Sequence, residues 1–187
     1  MKGRLRLAVL VAVVAALAVV VTTAIAGGGK SIREQLTGYE EDPSPLSTPG
    51  KGTFHAWIDE AEPRIFYRLR YEGLEGDVTQ AHIHFGGRAQ SGGISVWLCS
   101  NLDSPPTPAG TPACPVPGGS VTDSLEATDV VGPVGQGIGA GEFGELVDAI
   151  RAGATYANVH STKYPGGEIR AQLDRGRHIW RGHSDKR

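Results

Sequence analysis

A period of two runs through residues 81–85, where Ala81, Ile83 and Phe85 alternate with His82 and His84. Successive side chains of a β-strand leave on opposite faces, so this segment commits its apolar set to a core and sends both imidazoles out of the other face. Neighbours on that face stand roughly 6 to 7 Å apart at the backbone, which lets two rings converge on one ion or ligand; the plainer reading is two polar residues on a solvated strand face. The alternation returns in residues 52–59 (Phe54, Ala56 and Ile58 against His55 and Trp57), in 64–71 (Ile65, Tyr67 and Leu69 against Phe66, Arg68 and Arg70) and in 94–99 (Ile94, Val96 and Leu98 against Ser95 and Trp97). The 27 glycines and 12 prolines supply the turns that a chain of short strands requires.

Further strands are expected over residues 32–39, 121–126, 156–160 and 168–173. Residues 142–152 read as a helix, because Phe143, Leu146, Val147 and Ile150 recur at helical spacing. Glu142 and Glu145 near its start, Arg151 near its end and Gly153 just beyond agree with the helix dipole and with C-cap chemistry. These elements predict an all-β fold, an antiparallel Greek-key β-sandwich or barrel of seven to nine strands with one short α-helix. Residues 40–50 carry three prolines and form a loop. The Glu40, Glu41 and Asp42 run in that loop lacks the spaced oxygen ligands and turning glycine of a calcium loop.

Residues 1–26 have the layout of a signal peptide: Lys2, Arg4 and Arg6, an unbroken apolar run over 7–21, and the small-x-small site Ala24-Ile25-Ala26. The competing reading is an uncleaved anchor over 7–26, long enough to span a bilayer, with membrane contact only through this segment. Without residues 1–26 the chain carries 15 basic and 20 acidic residues, a formal charge of −5. Its basic concentration is the tail, residues 175–187, expected to be disordered; a nucleic-acid partner would require a concentrated basic face. The domain occupies residues 27–174. Its two cysteines, Cys99 and Cys114, bracket a Pro-rich loop, and in an exported protein they are most simply a disulfide.

Three motifs, Ala81-His82-Ile83-His84, Tyr156-Ala157-Asn158-Val159-His160-Ser161 and Pro165-Gly166-Gly167-Glu168-Ile169-Arg170-Ala171-Gln172, resemble those of the CHRD (chordin-like) domain, in order and in spacing. The resemblance implies an exported all-β domain of the bacterial type and supplies no biochemical activity. Two functions are expected to compete. One is a binding or structural module for an extracellular or cell-surface ligand, because no nucleophile elbow, phosphate-cradling loop or His-Glu-x-x-His motif is present.

The other is a metal protein binding zinc or copper through His82, His84 and His160, with His55 as a weaker candidate. His-x-His on one strand plus a histidine from another is also the ligand arrangement of copper-zinc superoxide dismutases and carbonic anhydrases. Superoxide-dismutase-like chemistry is therefore one form of this alternative, although the body of the chain has too few histidines for a two-metal site. The fourth position is open to water, a carboxylate such as Glu168, or a ligand. Glu168 and Arg170 together read either as support for a histidine, as a partner contact, or as a surface ion pair. Trp57 and Trp97 read either as sharing the histidine face, in an aromatic-plus-imidazole patch that could hold a ligand, or as covers of a sheet edge.

Overall fold

The computed structural model describes residues 31–59, 61–105 and 107–174. Residues 1–26, expected to be a signal peptide or an anchor, and the basic tail 175–187, with His178 and His183, lie outside the described residues. Among the described residues, eight strands form one antiparallel sheet: β1 (Ser31–Thr37), β2 (Lys51–Asp59), β3 (Arg64–Glu72), β4 (Val78–Phe85), β5 (Gly93–Ser100), β6 (Gly119–Leu125), β7 (Thr155–Ser161) and β8 (Ile169–Gln172), with helix α1 (Phe143–Ala152) between β6 and β7. The spatial order is β5-β4-β7-β8-β1-β2-β3-β6. The sheet curls until β5 approaches β6, giving a nearly closed barrel. Its strand-skipping connections distinguish it from an up-and-down barrel and agree with the expected Greek-key class.

The alternation read from the sequence fills the interior. Phe54, Ile65, Leu69, Ile83, Ala157, Val159 and Ile169 are all buried in one apolar cluster. Helix α1 adds Phe143, Leu146, Val147 and Ile150 to it and ends at Gly153, whose φ of 71° is the left-handed C-cap conformation. The Cys99–Cys114 disulfide is formed and closes the loop after β5.

Strand β5 departs from strict alternation. Its ladder with β4 shifts register between Ala81 and His82 and again between Ile83 and His84, so β5 carries extra residues opposite the histidines. Such bulges re-aim side chains, and Trp97 becomes the cross-strand partner of His82.

A candidate metal centre

The outer face of β4, β7 and β8 is a buried polar layer where the sequence suggested a solvated face. All seven residues of β7 are buried, as are His82, His84, Asn158, His160, Glu168, Arg170 and Gln172. Two connections roof it. The segment 38–50 lies on β8, with Thr48 Oγ1 donating to Glu168 Oε1 at 2.8 Å. The segment 86–92 is held by its carbonyls: Arg170 donates to Gly87 O and Gln90 O, and Gln172 donates to Gly86 O. Gly92 must be glycine here, since a Cβ would stand 1.8 Å from Phe85 O.

Under this roof the three histidines meet. Strand β7 is the neighbour of β4, with His82 opposite Asn158 and Gln80 opposite His160, which brings His160 diagonally to His82 on one face. One ring nitrogen from each of His82, His84 and His160 lies within 4.8 Å of the others. A tetrahedral ion with nitrogen ligands at about 2.0 to 2.1 Å needs nitrogens about 3.3 Å apart, so modest ring rotations close the set.

The protonation pattern suits an ion. His84 Nδ1 donates to Gly92 O at 3.0 Å and His160 Nδ1 donates to Pro165 O at 3.0 Å. A carbonyl only accepts, so each ring keeps its proton on Nδ1 and presents Nε2 as an acceptor lone pair. His160 Nε2 then accepts from His82 Nδ1 at 3.2 Å, leaving His82 with a lone pair on Nε2. The Nε2 atoms of His82 and His84 are buried without a hydrogen-bond partner among the described residues. Burial, reinforced by the other imidazoles, holds His82 neutral, with its pKa pushed far down. Burial also lowers His84 to about 4 against the opposing Gly92 bond, and lowers His160 against the Pro165 bond. All three rings are therefore neutral at physiological pH, the state that ligates metals.

The surroundings are aromatic. Trp97 meets His82 edge-on with ring centroids 4.3 Å apart, His84 stacks on Tyr156 at 4.8 Å, and the Arg170 guanidinium lies 3.6 Å over the Tyr156 ring.

Four expectations need correction. His55 is on the outer face of β2, paired with Arg33 and Arg68, and takes no part in the cluster. Trp57 stacks on Phe66 on that same distant face; only Trp97 joins the histidines. Glu168 does not offer a fourth ligand, because its carboxylate accepts from Thr48, from the Glu75 amide and from Ser161 Oγ at 2.5 Å. Nor are Glu168 and Arg170 a surface pair: both are buried, and Arg170 spends its donors on roof carbonyls.

The acidic run of loop 40–50, read from the sequence as lacking a calcium loop's pattern, contributes one residue to this layer, Glu41. It enters the layer from the 38–50 roof and receives Asn158 Nδ2 at 3.4 Å, while burial raises its pKa to about 7. Gly167, with a φ of 133°, passes so close that a Cβ would lie 2.6 Å from both Asn158 Nδ2 and Glu41 Oε2. The sequence neighbours of Glu41 are tied elsewhere, Glu40 to Arg88 and Asp42 to Ser91.

The family comparison covers the barrel and this layer together. No curated protein and no solved structure matches the chain significantly. The CHRD domain matches residues 32–173, from the first strand through the last, and the chain belongs to the CHRD-domain family.

Proposed function

We propose that this CHRD domain is an exported binding module that holds one divalent transition-metal ion, zinc or copper, on His82, His84 and His160. The observation that carries the proposal is the pair of tied rings: the Nδ1 protons of His84 and His160 are fixed by backbone carbonyls, and both Nε2 lone pairs point into one cluster. Metal-ligating histidines are held in this way by their outer hydrogen bonds. Without an ion the arrangement is costly, since each buried polar atom left unpaired costs about 1 to 3 kcal/mol. An all-imidazole set suits zinc and copper alike. The roof buries all three rings, which favours an ion that stabilises the polar layer over one that turns over a substrate. Export is supported by the disulfide, since such bonds persist in oxidising compartments.

Calorimetric titration of the metal-free protein with zinc or copper at neutral pH tests the reading. One ion per chain is expected for the wild type and none for His82→Ala. Absence of uptake by the wild type, or equal uptake by the variant, would overturn it. With Trp97 edge-on to His82, copper is also expected to quench tryptophan emission, and less so in Trp97→Phe.

A further inference from the structure

On the far side of the barrel, β1, β2, β3 and β6 assemble a cationic row that is scattered in the sequence. Arg33 lies opposite His55, His55 opposite Arg68, and Arg68 opposite Thr122. The next row on the same face is Ser31, Trp57, Phe66 and Ser124; the row on the other side is Gln35, Thr53, Arg70 and Ser120. Every residue flanking the row on this face is thus neutral or basic. Two guanidinium groups thus stand on either side of the His55 ring, and nothing in the flanking rows neutralises them. The nearby carboxylates are committed at the margins, Glu72 to Lys51 and Arg70, Glu126 to Arg64, and Asp59 to the turn amides of Ala61 and Glu62. Burial and the charges of Arg33 and Arg68 lower the His55 pKa, a further sign of a positive field. Beside the row, Trp57 and Phe66 stack with centroids 5.4 Å apart and remain 44% and 39% exposed.

We propose that this face, with Arg33, His55 and Arg68 beside the exposed Trp57–Phe66 stack, binds an acidic polysaccharide. Guanidinium groups pair bidentately with carboxylate or sulfate, and the flat aromatic pair offers a platform for the C–H faces of pyranose rings. Strands spaced about 4.8 Å apart set Arg33 and Arg68 about 10 Å apart with the His55 ring between them, a spacing suited to a chain that carries charge along its length. The rings sit within strands, flush with the sheet, so they do not form an inserting wedge for a lipid surface. Glu72 and Glu126 at the margins of β3 and β6 oppose the denser charge of a nucleic acid.

The test is retention of the full-length exported protein on immobilised polygalacturonate and dextran sulfate, which separate carboxylate from sulfate recognition, beside neutral dextran, single-stranded DNA and vesicles of acidic lipid. Salt-sensitive retention on one or both acidic polysaccharides is expected, with none on neutral dextran. The Arg33→Gln/Arg68→Gln variant and the separate Trp57→Ala variant should each weaken binding by about tenfold or more, the scale of an interfacial arginine or tryptophan anchor. Both should retain wild-type metal uptake and melting, which separates this surface from the histidine layer. Failure of both polysaccharides to bind, unchanged affinity in both variants, or tighter binding to DNA or vesicles would overturn the proposal.

Discussion

His82 Nδ1 donates to His160 Nε2 at 3.2 Å, a bond between adjacent strands across 78 residues of sequence. It aligns the lone pairs of the metal-free site, and an incoming ion must displace it. The ion is therefore expected to stabilise the folded protein by mass action, about 2.7 kcal/mol at a free concentration one hundred times Kd. For a domain of this size that is a rise of several degrees in melting temperature. His82→Ala should melt at one temperature with and without zinc.

Arg170 is expected to act as the clamp of the roof. Its guanidinium joins Gly87 O and Gln90 O while lying over Tyr156. Arg170→Met keeps the bulk and unpairs the carbonyls, at a cost of about 1 to 3 kcal/mol in denaturant unfolding. Hydrogen exchange should quicken in residues 86–92, and because Gly92 O orients His84, metal affinity should fall by about tenfold. Unchanged exchange in 86–92 would contradict the clamp.

Glu41 is expected to give the protein a pH dependence of its own. Its folded pKa is raised to about 7, so the stability it contributes is fully present below the unfolded value and is lost as pH rises through 7. Glu41→Gln removes that loss. The variant should match the wild type below pH 4.5 and exceed it by roughly 1 to 3 kcal/mol at pH 8. The lowered pKa values of His82 and His84 act in the opposite sense, reducing stability as pH falls below the unfolded value. Curves of unfolding free energy against pH for both proteins separate the two effects.

Much of the barrel was legible because its interior repeats every second residue. Phe54, Ala56 and Ile58, then Ile65, Tyr67 and Leu69, then Ala157 and Val159 all point where their alternation places them. The same parity put His82, His84 and His160 on one face. It did not show that this face is buried, since the roof comes from loops 38–50 and 86–92, whose sequences carry no period. Glu168 and Arg170 therefore read as surface groups. The two bulges of β5 were likewise invisible, because a bulge changes pairing without changing composition. Arg33, His55 and Arg68 became a row only through strand register, which is a property of three segments together.

Leu146 is fully buried on α1. Leu146→Ala is expected to cost about 2 to 5 kcal/mol of stability, read from denaturant midpoints with an unchanged slope. A loss under about half a kcal/mol, the ordinary range for surface substitutions, would contradict the packing of the helix stripe.

The central claim, that three imidazoles ligate one ion, is tested most directly by X-ray absorption spectroscopy of the zinc-loaded protein. The account predicts one zinc per chain with three imidazole nitrogens at about 2.0 to 2.1 Å, and loss of one imidazole or of the metal in His84→Ala. An oxygen-dominated shell, or a spectrum that His84→Ala leaves unchanged, would contradict it.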